Sequence, residues 1–147
     1  MGRILAVDLG AKRIGIAVSD PSRTIARPLT TLIRRPGKRA PIQAILALCT
    51  EHDVDEIVVG LPLSLAGDDT EWTAQVRDFA NRVGERAGLP VHLVDERFSS
   101  VVAERAVRSI GLGRAERQER ERIDAAAAAV ILQGYLDRLR PNPIPES

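Results

Sequence analysis

Residues 3–20 read Arg-Ile-Leu-Ala-Val-Asp-Leu-Gly-Ala-Lys-Arg-Ile-Gly-Ile-Ala-Val-Ser-Asp. Two apolar runs, 4–9 and 14–18, flank Gly10-Ala11-Lys12-Arg13. A short connection containing Gly between β-rich runs predicts a hairpin. In the first run Ile4 and Ala6 share a face with Asp8, while Leu5, Val7 and Leu9 lie on the other, so the strand is expected to be central and covered on both sides. Asp8 is the exception in that run. An ionised carboxylate near the end of such a strand is costly unless something positive neutralises it. A divalent cation is one candidate, and Lys12 or Arg13 folding back is the other; a single Asp beside a hairpin is also common turn chemistry.

Outward from this hairpin, residues 20–23 form a turn and residues 26–33, with Leu29, Thr31 and Ile33 alternating, predict a third strand of an antiparallel meander. Arg34-Arg35-Pro36-Gly37-Lys38-Arg39 is a basic loop, either a solvated connection or an edge that meets phosphates. Pro41 suits the first turn of a helix to about His52, and residues 56–59 predict a short buried strand stopped by Gly60-Leu61-Pro62. After a loop over 63–69, Thr70 caps a helix in which Trp72, Val76, Phe79, Ala80 and Val83 fall at helical spacing, and Gly88 ends it. Trp72 is expected to seal the end of the core rather than to stack on a base. Residues 91–94 are a further strand, which delivers Asp95-Glu96-Arg97 at its end. Ser99 or Ser100 caps a helix to Ile110; residues 114–122 are a solvated helix start or a loop, and an Ala-rich helix continues to about Arg140.

The 147 residues suit one domain, 1–140, with a flexible tail over 141–147 that holds three prolines. Hydrophobic residues at 44% and charged ones at 28% argue against disorder and against a membrane protein, and no apolar run approaches the ~20 residues that span a bilayer. No signal-peptide pattern precedes the first strand, so a cytoplasmic location without membrane association is expected. Cys49 stands alone and is read as a small core residue, leaving no disulfide or zinc site. A net charge of +1 neither marks nor excludes a nucleic-acid binder, because the local distribution matters more than the sum.

A meander followed by βα units predicts a mixed five-stranded sheet with helices on both faces, an α/β fold in which the fourth strand lies parallel to the first and the fifth beyond it. The carboxyl edge of such a sheet, where ligands usually bind, then carries Asp8, Gly60-Leu61-Pro62 and Asp95-Glu96. Asp124 joins them from the last helix, where it shares a face with Ala127, Ala128, Ile131 and Tyr135. Taken singly, Asp124 is a charge near a helix N-terminal region, where the macrodipole favours it. Together, Asp8, Glu96 and Asp124 fit hydrolysis of a phosphodiester, in which acidic oxygens hold one or two Mg²⁺ or Mn²⁺ ions that activate water and neutralise developing charge. The first and fifth strands lie about 10 Å apart, so Glu96 must reach inward or act through water. Three acids with no internal cation to balance them should strain the metal-free protein, and Asp8→Asn is then expected to stabilise it by ~1 kcal/mol. A salt bridge from Lys12 or Arg13 predicts the opposite.

Asp8-Leu9-Gly10 with Lys12-Arg13-Ile14-Gly15, Gly60-Leu61-Pro62, Asp95-Glu96-Arg97 and Ile123-Asp124-Ala125 resemble the four signature blocks of the YqgF (RuvX) family of Holliday junction resolvase-like proteins and pre-ribosomal-RNA nucleases. The resemblance runs in order from about Arg3 to Leu136. It implies a ribonuclease H-like fold, Asp8, Glu96 and Asp124 as catalytic and metal-holding acids, and trimming of the precursor of small-subunit ribosomal RNA. Lys12, Arg13, Arg97, Arg117 and Arg120 are the expected contacts to an RNA precursor or to branched DNA. Residues 114–122 depart from the family, in which a lysine often precedes the last acid. Asp8-x-Gly10 with Gly15 also looks like the phosphate loop of the actin and sugar-kinase superfamily, which closes two such domains over ATP where this length supplies one. A non-catalytic nucleic-acid-binding factor is the other alternative, and the presence of all three acids weighs against it.

Overall fold

The computed structural model describes residues 2–35, 39–61, 70–95 and 116–139, with the side chains of the last segment described from Arg122 onward. Five strands, β1 (Arg3–Leu9), β2 (Arg13–Ser19), β3 (Ala26–Ile33), β4 (Val54–Leu61) and β5 (Val91–Asp95), form one sheet in the order β3-β2-β1-β4-β5. β1, β2 and β3 pair antiparallel, and β4 and β5 continue in parallel with β1. The mixed sheet and its strand order are those expected from the meander and the right-handed crossover rule.

Alternation along β1 splits the core in two, as its sequence requires. Leu5, Val7 and Leu9 join Ile14, Ile16, Ile57 and Val59 under α1 (Ile42–Glu51) and α2 (Glu71–Ala87). Ile4 and Ala6 join Ala17, Val58 and Val94 under the third described helix, α3 (Glu116–Leu139), through Ala128, Ile131, Leu132 and Leu136. Alanines at Ala6, Ala17 and Ala128 line the contact of α3 with the sheet. The helix crosses β2, β3 and β1.

Element ends follow their local chemistry. Thr70 accepts from the Thr73 backbone N–H at 3.1 Å and the Thr73 hydroxyl accepts from Thr70 N–H at 3.1 Å, a capping box built with Thr in place of the usual Glu. Gly88 closes α2 at φ 67, a left-handed conformation. Asp20 fixes the turn before β3 by accepting from Ser22 Oγ and from the Thr24 and Ile25 N–H groups, and these bonds hold its carboxyl down at about 2. Cys49 is buried, and burial pushes its thiol up to about 11, in keeping with a core role.

Two sequence expectations shift, and one pair of readings is decided. β4 spans Val54–Leu61 instead of 56–59, because pairing on both sides extends a strand beyond its apolar centre. Pro41 is the N-cap of α1, one residue before the helix it was expected to open. Residues 116–122 belong to α3, the helical of the two readings offered for that charged segment. The expected loop over 63–69, helix over 99–110 and tail over 141–147 lie outside the described residues.

Candidate active site

The hairpin decides the geometry. Gly10 N–H donates to the Arg13 carbonyl at 2.9 Å, which closes the connection and sets the register Leu9↔Ile14 and Asp8↔Gly15. Residues directly opposite on adjacent antiparallel strands point to the same face, their Cβ positions ~5 Å apart. Asp8 and Gly15 therefore both face α3, on the side of Ile4 and Ala6.

At Gly15 the helix touches the sheet. A Cβ built there would lie 1.9 Å from the Asp124 carbonyl oxygen and 3.1 Å from Ala125 N, well inside any permitted contact. Only a residue without a side chain admits the α3 backbone this close, and the consequence is that Asp124 is set down beside the strand position facing Asp8. Asp8 and Asp124 are both half-buried. One glycine thus sets the backbone of Asp124, 116 positions further along the chain, against the strand position opposite Asp8.

Arg13 completes the described cluster. It shares the α3-facing side of β2 with Gly15, and its Nε–H donates to Asp124 Oδ2 at 2.5 Å. Arg13 thus folds back, as one sequence reading allowed, and the carboxylate it meets is that of Asp124. It also supplies the internal cation that the sequence was expected to lack, so the acids are not left to repel one another unopposed. The reason is register: Asp124 stands over Gly15, two residues along the same face of the strand.

Of the other expected site residues, Lys12 is the one whose side chain is described. Asp95 ends β5 paired with Leu61, on the same sheet edge as Asp8. Glu96 and Arg97, which follow it, lie outside the described residues, as do the side chains of Arg117 and Arg120. Lys12 is exposed at the tip of the hairpin. Among the described residues, no group of three or more His, Cys, Asp and Glu side chains is placed to hold a metal. Asp8 and Asp124 alone still fit Mg²⁺ or Mn²⁺, since such an ion is ordinarily held by one or two carboxylates together with substrate phosphates.

Arg34, in the loop read as either a solvated connection or a phosphate-contacting edge, ties the hairpin to α2. It donates to the Gly10 carbonyl at 2.9 Å and its guanidinium carbon lies 6.0 Å from the Trp72 ring centroid. Trp72 packs against the core, as expected. Arg35 and Arg39 of the same loop are exposed. Neither histidine enters the site. His52 caps α1, and His92 stacks on Tyr135 over Glu56, which accepts from the Tyr135 hydroxyl at 2.6 Å and lies 3.2 Å from His92 Nε2. Burial and Glu56 push the Tyr135 hydroxyl up to about 12. Glu56 and His92 lie toward the beginnings of β4 and β5, away from the edge that carries Asp8.

Sequence reasoning missed the part played by Gly15 and the partner of Arg13. The signal was present: counting symmetrically outward from Gly10 and Arg13 puts Gly15 opposite Asp8, and a glycine inside an apolar strand marks close backbone approach.

Comparison with known proteins identifies the family. Residues 2–138 match the family described as "RuvX: Holliday junction resolvase". The chain belongs to the RuvX family. Relatives bearing the name "Putative pre-16S rRNA nuclease" include one from Clavibacter michiganensis, 46% identical over 95% of this chain and 86% of that protein. Another, from Maridesulfovibrio salexigens, is 41% identical over 92% of this chain and 98% of that protein. Among solved structures, T. thermophilus RuvC in complex with a Holliday junction substrate superposes with a TM-score of 0.58 at 17% identity, over 95% of this chain and 96% of that one. That likeness establishes the RuvC-like, ribonuclease H-like fold for this RuvX chain.

Proposed function

We propose that this RuvX protein is a metal-dependent nuclease that hydrolyses phosphodiester bonds at the 5′ end of the precursor of 16S ribosomal RNA, in the cytoplasm. The observation that carries the proposal is the seating of Asp124 against Gly15, which brings a second carboxylate to the strand end that bears Asp8. Relatives of comparable length that are 46% and 41% identical over the matched residues carry a pre-16S rRNA nuclease name, which supports RNA as the substrate. Branched DNA is the second reading, favoured by the family's description as a Holliday junction resolvase.

In this reading Asp8 and Asp124 hold Mg²⁺ or Mn²⁺, with Glu96 as the third acid. An ion held there by these carboxylates would supply polarisation of the phosphoryl oxygens and a lowered pKa for an attacking water. Asp8 is held by the central strand and Asp124 by a helix seated on the sheet, so both are positioned before substrate arrives. Arg13 stands beside them as a fork suited to phosphate, with Lys12, Arg97, Arg117 and Arg120 as further phosphate contacts.

The deciding experiment is a cleavage assay with Mn²⁺ on single-stranded RNA, double-stranded RNA and a four-way DNA junction. Cleavage of RNA with the junction left intact is expected. Cutting of the junction alone would replace the first reading with the second, and no cleavage of any of the three would sink both.

The exposed arginines give an independent check on nucleic-acid binding. With Arg34 committed to Gly10 and Trp72, Arg35 and Arg39 are the described residues of the basic loop that remain to meet phosphates. Replacing both by Glu is expected to weaken RNA binding and to flatten the slope of log K against log salt by about 1.4, roughly 0.7 for each single-strand phosphate that is no longer neutralised. An unchanged slope would make this loop a solvated connection.

A further inference from the structure

Arg13 Nε–H donates to Asp124 Oδ2 at 2.5 Å, and the two side chains are only 30% and 26% exposed. Arg13 also stands diagonally across β1 and β2 from Asp8, since Gly15 is the residue opposite Asp8. Diagonal neighbours lie ~7–8 Å apart, within the span of a long side chain. The face that carries both carboxylates therefore has a guanidinium of its own, already committed to an oxygen that a divalent ion would take. We infer that Arg13 is the site's internal counter-ion: it occupies Asp124 Oδ2 in the metal-free protein, must leave for that oxygen to ligate, and then receives a phosphate of the nucleic acid. This inference rests on the metal-site reading of Asp8 and Asp124 proposed above.

The physical steps are short. Ligation at Oδ2 brings a dication within ~4 Å of the guanidinium, and like charges that close in a partly desolvated site repel strongly. Arg13 must then swing off the carboxylate. A guanidinium turned away from its partner in a part-buried position is costly until it finds another anion. A phosphodiester supplies one, and its oxygens match the planar fork of an arginine. Metal and nucleic acid should in consequence bind with positive coupling, each raising the affinity for the other by the same factor. Arg13 is a positioning residue in this scheme: it governs when Asp124 becomes available and where the phosphate comes to rest.

Isothermal titration of the full chain with Mn²⁺ tests this, comparing wild type with Arg13→Gln, alone and with a 2′-O-methyl RNA hexamer verified as uncut. Arg13→Gln is expected to bind Mn²⁺ about tenfold more tightly in the absence of the hexamer, because Asp124 is no longer occupied. The hexamer should tighten Mn²⁺ binding about tenfold in the wild type and less than about twofold in the variant. Arg13→Lys, which keeps the charge and loses the Nε donor, should fall between the two and covers the case in which Arg13→Gln does not fold. Equal or weaker Mn²⁺ binding by the Arg13 variants than by wild type, with the same response to the hexamer, would make Arg13 a structural tie and overturn the inference while leaving the metal site standing. An absence of Mn²⁺ binding in wild type and variants alike, with and without the hexamer, would remove the metal-site reading and this inference with it.

Discussion

Asp8→Asn is expected to lower Mn²⁺-dependent cleavage about 10²–10³-fold, the size of effect seen when one preorganised electrostatic group is removed from an active site. Asn has the shape of Asp, so packing around Ile4, Ala6 and Val58 is kept and the metal-free melting temperature should correspond to a stability change of no more than about 1 kcal/mol. The sequence alone suggested a stabilisation of that size, through relief of unopposed acids; Arg13 on Asp124 removes the reason for it. What should separate the two proteins clearly is the ion. Mn²⁺ should raise the melting temperature of wild type by mass action and do little for Asp8→Asn. The measurement is a pair of melting curves with and without Mn²⁺, alongside the cleavage rate. Full activity in Asp8→Asn would take Asp8 out of the site, and an equal metal response in both proteins would take it out of the ion's ligand set.

Gly15→Ala should be more damaging than its size suggests. The added methyl would sit 1.9 Å from the Asp124 carbonyl oxygen, and both partners are backbone, so no side chain can swing aside. Either α3 lifts off the sheet or β2 bends away from β1, in each case by roughly an ångström or more if the methyl is to reach an ordinary contact distance. Overpacking of this kind costs about 1–3 kcal/mol, and because Asp124 moves with the helix, a displacement near 1 Å should reduce cleavage a further ~10²-fold. Ala17 of the same strand, buried under α3, already carries the methyl that Gly15 lacks. Ala17→Gly therefore serves as the control: it should lose stability through the opened space while keeping Asp124 in place and cleavage near normal. Equal activity in Gly15→Ala and wild type would show that the seating of α3 on Gly15 does not position Asp124.

Both expectations depend on contacts of very different origin, and the sequence carried them unequally. β1 was legible because its alternation is complete: every position from Ile4 to Leu9 is apolar except Asp8, and the period of two assigns each side chain to a face without any knowledge of partners. Thr70, Gly88 and the Gly10 hairpin were legible for a similar reason, since caps and turns are decided within a few residues. The strand order followed from connection lengths and handedness, which are properties of the chain and not of particular contacts. The extent of β4 was less so, as its ends depend on what β1 and β5 offer for pairing. In the sequence Arg34 read as one more charge in a basic run; its bonds to Gly10 and Trp72 join segments that lie far apart along the chain.

Local pattern thus determined the elements, the two-sided core, the edge on which Asp8 lies and the acids worth suspecting. What the tertiary structure alone decided was the seating of Asp124 on the sheet and the charge set beside it. Asp124 lies over the strand position opposite Asp8 because Gly15 lets a helix backbone rest on the sheet, and Arg13 pairs with Asp124 because both stand over that same stretch of β2. Gly15 inside an apolar strand signals a close approach but not which segment makes it, and an ion pair is set by whichever partner the packing delivers within reach.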